Sequence, residues 1–351
     1  MLRRALAGTA ILPLLLAACA GGSSDSTAAT DTGSESASSG ASASGTHTTD
    51  TGESTTDAST TSASTTSSSS SSSSSSTSTT GLLDHCPSVA SPVVQATIAD
   101  PEISEASGLA QSRSQPGVFW VHNDSGDSAR FFAFDGAGAT LGIFALTDVD
   151  AEDWEDLALG PGPTPGAWIY LADIGDNLAA RPRVTVYRVP EPDAAAARGG
   201  LMKITGAEAI VLAYPDKPHD AETLLVDPAT GDLFIAIKSD PTRIFRHPGP
   251  VTAGGPYVLE EVTPIVAPGT YATGGDVSPA GDFVAIRTYT QAHLWLRPKG
   301  GDLRDAFATA PCVLPLAAEV QGETLAIAGD ASGYYTLSEM ASQPLWWYAF
   351  Q

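Results

Sequence analysis

Positively charged residues are scarce in this sequence. Lys and Arg together number 17 against 40 Asp and Glu, which gives a formal net charge of −23 at pH 7. A partner rich in phosphate, such as a nucleic acid or an anionic membrane surface, needs a positive patch on the protein. The composition therefore argues against nucleic acid as a partner and favours cationic ligands and divalent metal ions.

The sequence lacks an apolar run long enough to span a membrane. Arg3 and Arg4 precede a short apolar stretch over residues 11–16, the pattern of a secretion signal, so we expect residues 1–18 to be a signal peptide. Residues 16–19 (Leu-Ala-Ala-Cys) resemble a bacterial lipobox. That resemblance implies lipid on Cys19 and an exported protein anchored to a bacterial membrane, and Ala20 resembles the outer-membrane sorting pattern. An ordinary secretion signal cut nearby is the alternative.

Apolar side chains are almost absent from residues 19–83. Ser, Thr, Ala, Gly and Asp dominate, with an unbroken serine run over residues 67–76. Such a segment cannot bury enough surface to offset its ordering entropy, so a disordered tether is expected. A plain solvated spacer and an O-glycosylated one both fit.

Cysteine is rare as well. If Cys19 carries lipid, Cys86 and Cys312 are the only remaining pair in an exported chain, and we expect them to form a disulfide. Two buried thiols are the alternative.

Familiar catalytic motifs are missing. The chain has no Gly-x-Ser-x-Gly elbow, no His-Glu-x-x-His, no phosphate-binding loop and no dinucleotide fingerprint. Their absence argues against the enzyme classes that these motifs mark.

An acidic pattern returns along the rest of the chain at intervals of about fifty residues, as in repeat architectures. Five copies begin at Glu105, Asp153, Asp220, Thr273 and Gln321. The alignment sets Gly275 of the fourth copy opposite Glu155 of the second. A Gly-bearing turn and a β-rich run follow each copy, as in the blades of a propeller.

Residues 84–351 are therefore predicted to form one all-β domain, a monomeric β-propeller of five four-stranded blades. The last repeat supplies only three strands, and residues 92–98, upstream of the first repeat, can supply the fourth and close the ring. Residues 257–260 are predicted to form the outermost strand of the third blade. Six blades are the alternative, because the second repeat is long enough to hide a degenerate one.

In a propeller blade, the innermost strand and the second strand are antiparallel, so the start of the innermost strand lies beside the end of the second. Acids at these starts should therefore meet residues such as Ser338 and Glu339 around one mouth of the channel. The predicted metal ligands are Glu105, Asp124, Asp153, Glu155, Asp156, Asp173, Glu222, Asp276 and Glu323. Crowded carboxylates repel one another unless a cation lies among them, and hard divalent ions prefer oxygen. The alternative is that acids such as Asp124 only cap tight turns.

His122, Lys238 and Arg287 end second strands at the same mouth and are the candidate catalytic residues. His122 is a candidate general base, although its ring can equally be satisfied by hydrogen bonds within its turn. Lys238 and Arg287 are the two cations in the predicted ring of carboxylates.

Residues 105–109, 121–124, 153–156, 173–177 and 322–325 carry a family resemblance. Through them the chain resembles bacterial exported β-propellers of the SdiA-regulated and esterase-like or phytase-like families. That resemblance implies an acidic, Ca²⁺-binding channel mouth and, in the phytase-like branch, hydrolysis of phosphate or ester bonds. Two functions stay open: a binding or scaffold module for an unknown small-molecule or protein ligand, and a metal-dependent hydrolase of a small ester, lactone or phosphate.

Overall fold

In the computed structural model, residues 83–267 and 269–351 are described, and they form five β-sheets arranged as the blades of a single propeller. The predictions for the signal peptide, Cys19 and the tether up to residue 82 lie outside the described residues. Across the described part, no helix is both long and apolar enough to cross a membrane.

The strands follow the chain around the ring. The first is β1 (Val93–Thr97), and blade 1 begins with β2 (Ala106–Gln111), β3 (Val118–Asn123), β4 (Arg130–Asp135) and β5 (Thr140–Leu146). Blade 2 begins with β6 (Trp154–Pro161), β7 (Ala167–Asp173) and β8 (Val184–Pro190), followed by β9 (Leu201–Ile204) and β10 (Glu208–Ala213). Next come β11 (Ala221–Val226), β12 (Leu233–Ile237), β13 (Ile244–His247), β14 (Gly254–Val258) and β15 (Glu260–Glu261).

The remaining strands complete blades 4 and 5. Blade 4 contains β16 (Ala272–Val277), β17 (Phe283–Thr288), β18 (Ala292–Leu296) and β19 (Cys312–Leu314), with the short helix α1 (Leu303–Ala306) before β19. Blade 5 contains β20 (Ala326–Ile327), β21 (Gly333–Thr336) and β22 (Pro344–Ala349). The five-bladed prediction is confirmed.

The N-terminal strand closes the ring as predicted. β1 pairs antiparallel with β22, with Val93 opposite Trp347, and so becomes the outermost strand of blade 5. The predicted disulfide between Cys86 and Cys312 is present, with a Cα–Cα distance of 5.5 Å. It joins the segment before β1 to the outermost strand of blade 4. The start of the domain is thus fixed to two neighbouring blades.

The outer strands differ from the prediction. Residues 257–260 do not form one strand of blade 3: β14 pairs in parallel with β10 of blade 2, and only the two-residue β15 completes blade 3. In the long second repeat, β9 does not pair within blade 2; it pairs in parallel with β5 of blade 1. Blades 1 and 2 therefore have five strands, and the extra length of the second repeat forms no sixth blade.

The core consists of five apolar clusters, one between each pair of neighbouring blades. Trp120 of blade 1 packs in the same cluster as Ile169 of blade 2, and Phe283 of blade 4 in the same cluster as Tyr334 of blade 5. Each blade buries one set of alternating side chains on either side, so it is stable only between its neighbours. This packing holds the five inner strands around one channel.

Candidate metal centre

The inner strands share a β-bulge close to their start. Trp154 pairs with Asp173 and Asp156 with Ala172, so Glu155 is the extra residue of blade 2. The same one-residue shift leaves Ser107, Glu222 and Thr273 as extra residues of blades 1, 3 and 4. In blade 5 the shift falls between the bridge at Gly322 and the pair at Ala326, a stretch that contains Glu323. Bulges redirect side chains, and here the redirected positions lie at the channel mouth.

The bulges correct the alignment of the fourth repeat. Thr273, and not Gly275, is the counterpart of Glu155, so Asp276 lies two residues further along its strand than the alignment placed it. Its carboxylate accepts hydrogen bonds from the backbone N–H groups of Val277 and Ile327. Asp276 thus ties the inner strands of blades 4 and 5 together.

Asp156 has a similar role in blade 2, although it lies at a different position along its strand. It is buried and accepts hydrogen bonds from the backbone N–H groups of Leu157 and Leu224, which joins the inner strands of blades 2 and 3. Burial raises the pKa of Asp156 well above its usual value. It raises the pKa of Asp276 to about 6, an effect opposed by the nearby Arg113 guanidinium.

The structure brings five carboxylates into two groups at the mouth. Oxygen atoms of Asp124, Asp153 and Glu155 lie within 4.8 Å of one another, and so do oxygen atoms of Asp124, Glu323 and Glu339. Asp124 belongs to both groups. The sequence placed Glu339 at the mouth but did not predict it as a metal ligand. Its position after the second strand of blade 5 was the signal that could have identified it.

Burial and mutual repulsion shift the pKa values of this cluster. Burial raises the pKa of Asp124 to about 6, with a further contribution from Glu323. Burial also raises the pKa of Glu339 to about 9, helped by the adjacent carboxyls of Glu323 and Glu105. The pKa of Glu155 is raised well above its usual value by burial and by the charge of Asp124. The cluster thus cannot hold all its charges without protons or a cation.

Glu222 and Lys238 form an ion pair beside the cluster. The Lys238 ammonium contacts Oε1 of Glu222, and its Nζ also lies 5.4 Å from the centroid of the Tyr289 ring. Burial opposes the charge on Lys238, but Glu222 outweighs it and raises the lysine pKa. Oε2 of Glu222 is buried and has no hydrogen-bond partner among the described residues. This second oxygen therefore remains able to accept a donor or a metal ion.

Tyr289 links this ion pair to the cluster, and sequence reasoning missed it. Its hydroxyl lies 3.3 Å from Oε1 of Glu323. Its place directly after β17 was the only available signal.

The other predicted site residues are engaged elsewhere. Asp173 accepts hydrogen bonds from the backbone of Asp153 and forms an ion pair with Arg181 at 2.8 Å. Arg287 is fully buried and pairs with Glu319 at 2.8 Å. Both side chains fix the loops that surround the mouth.

His122 is also fully buried. Its Nδ1 lies 2.8 Å from the carbonyl oxygen of Asn123, and its ring packs edge-to-face against Trp154. Burial lowers the pKa of His122. In this arrangement the imidazole is neutral and lies within the wall of the channel.

Strained backbone conformations are concentrated in the loops on the mouth side of the propeller. Eight described residues other than glycine have a positive φ, and six of them lie in mouth-side loops: Asp148, Ala179, Ala267, Tyr271, Met340 and Ser342. Bulky residues such as Tyr271 (φ 58°) and Met340 (φ 80°) rarely adopt this conformation. Strain of this kind gathers at functional sites.

Comparisons with known proteins do not assign this chain to a family. No family model matches the chain, and no curated protein matches it. Among solved structures, the chain is similar to one described as "Structure of Dos1 propeller", with 10% identity and a TM-score of 0.35. The similarity covers 67% of this chain and 53% of that chain, so this chain spans about half the length of its neighbour. The family resemblance and the lipid anchor stay predictions.

Proposed function

We propose that this protein is an exported, lipid-anchored propeller that binds Ca²⁺ in its acidic mouth and uses that mouth to hold a small-molecule or protein ligand. The observation that carries the proposal is the pair of carboxylate groups that share Asp124, each with its oxygens within 4.8 Å. Repulsion within such a cluster favours a bound cation.

The donor set fits a hard divalent ion. The groups offer only carboxylate oxygens, which are the ligands that Ca²⁺ prefers, and Ca²⁺ takes roughly six to eight of them. Glu155 is 3% exposed, and no donor in the described part of the chain hydrogen-bonds to its carboxylate. The unpartnered Oε2 of Glu222 supports the same conclusion. Each group would hold a cation with its own carboxylates, and Asp124 would contribute to either group.

Calcium titration of the purified protein tests this proposal. We expect binding that Asp124→Asn weakens at least tenfold, because Asp124 contributes to both groups. Glu260→Gln is the matched control, since this side chain is 63% exposed on the outermost strand of blade 3. No binding by the wild type, or equal binding by both variants, would remove the basis of the proposal.

The hydrolase alternative draws support from Lys238 and Tyr289. An ammonium and a phenol beside a cation site could stabilise negative charge that develops on a substrate oxygen. The test is turnover of 4-nitrophenyl acetate and 4-nitrophenyl phosphate with Ca²⁺ present. We expect Lys238→Met to reduce any such turnover, while a wild-type rate equal to that of buffer leaves only the binding function.

A further inference from the structure

A cavity lies at the opposite end of the propeller, away from the acidic mouth. It has a volume of about 360 Å³ and lies between blade 5 and blade 1, where β2 ends and β21 begins. We call it the seam groove and define it by Gln111, Arg113, Asp330, Ser332, Tyr335 and Trp347. Its volume falls at the lower end of the range for small-ligand sites, roughly 300–1,000 Å³.

One wall of the seam groove is an aromatic platform. Tyr335 and Trp347 are cross-strand partners, with ring centroids 4.5 Å apart and planes inclined by 35°. Phe119 of blade 1 packs edge-on against Tyr335 at 4.8 Å and fixes its orientation. Gly333 makes room for Trp347, because a Cβ at this position would lie 2.5 Å from Cη2 of the indole. The platform is therefore held in place before any ligand arrives.

Polar groups are fixed around this platform. Oδ1 of Asp330 accepts hydrogen bonds from the backbone N–H and the hydroxyl of Ser332. Nη2 of Arg113 donates to the carbonyl of Val277 at 2.6 Å. Ala331, in the turn that carries Asp330, has a φ of 59°, a strained conformation. Among the described residues, Oδ2 of Asp330 and the other guanidinium nitrogens of Arg113 form no hydrogen bond, so both side chains can still bind a ligand.

We propose that the seam groove binds a neutral hexopyranose ring. A sugar ring has an apolar C–H face, which fits the platform, and hydroxyl groups along its edge that donate to Asp330 and accept from Arg113. A wholly apolar ligand would leave both polar groups desolvated without partners, which costs free energy. An anion would be repelled by Asp330, and the charge of Arg113 is already partly balanced by Asp276, whose Oδ1 lies 3.4 Å from Nη2. This proposal is independent of cation binding at the mouth.

The test is saturation-transfer NMR on the whole protein with glucose, galactose and N-acetylglucosamine as probes. We expect at least one of them to bind with a Kd on the order of 1 mM, a modest affinity suited to a shallow site. Trp347→Ala should weaken binding about tenfold and Trp347→Phe much less, because the ring face supplies the contact. Chelator should change nothing.

Val94→Ala is the matched control, since Val94 is 51% exposed on β1 and pairs with Trp346, so it faces away from the platform. Thermal unfolding should show that the variants remain folded, and Asp330→Asn should weaken sugar binding without changing stability. The proposal fails if no sugar gives a signal with the wild type, if Trp347→Ala leaves the signal unchanged, or if only an apolar dye binds.

Discussion

Binding of Ca²⁺ at the mouth should release protons. Metal ligands must be deprotonated, whereas a pKa of about 9 means that the Glu339 carboxyl carries a proton at pH 7 in the cation-free protein. Asp124, with a pKa of about 6, is mostly ionised at that pH. A cation bound by Asp124, Glu323 and Glu339 must therefore displace the proton of Glu339.

The structure gives the size of this effect. A carboxyl with a pKa of about 9, as for Glu339, holds its proton in about 99% of molecules at pH 7. About one proton therefore leaves when a cation binds the group that contains Glu339 at pH 7. The apparent affinity of this group should then fall about tenfold when the pH drops from 7 to 6, since each released proton contributes about tenfold per pH unit.

Isothermal titration calorimetry measures the released protons directly. Calcium is titrated at pH 7 into the protein in buffers that differ in ionisation enthalpy, and the slope of the observed enthalpy gives the number of protons. Glu339→Gln should lower that number by about one, because the amide has no proton to lose, whereas Glu260→Gln should not change it. Tight binding with no proton release would contradict the raised pKa of Glu339.

Four further predictions concern stability and membrane attachment. Without Ca²⁺, the thermal midpoint should fall as the pH rises from about 5 to 9. The folded-state pKa values of Asp124 and Glu339 are raised, so the stability that these carboxyls give below pH 4 is lost as they ionise, and added Ca²⁺ should restore it. Cys86→Ser should lower the free energy of unfolding by about 3–5 kcal/mol in denaturant titration, since the disulfide closes a loop with a sequence separation of 226. Gly322→Ala should destabilise the fold by about 1–3 kcal/mol, because the new Cβ meets the Arg287 guanidinium, whereas Gly136→Ala, in open space, should have little effect in the same assay. Cys19→Ser should move the protein from the membrane fraction into a soluble one, and a variant that still resists carbonate extraction would contradict the lipid anchor.

Much of the fold could be predicted because its signals are local. Alternating apolar residues and regularly spaced turns mark strands, and a repeat of about fifty residues marks blades. Each blade must bury both faces against its neighbours, so the number of repeats sets the size of the ring. The three-stranded last repeat indicated that β1 closes blade 5, and the number of cysteines indicated the disulfide.

The sequence by itself thus determined the propeller, its closure and the acidic character of its mouth. Only the tertiary structure decided which outer strand joins which blade, because β9 and β14 pair with whichever free edge lies beside them in space. The tertiary structure also decided the register of blade 4. A pattern of apolar residues does not show where a bulge falls, and the bulge at Thr273 moves Asp276 away from the position expected for it. The burial of His122 and Arg287 also depends on neighbouring blades. Those blades are distant in the sequence, so a local pattern of residues does not predict this burial.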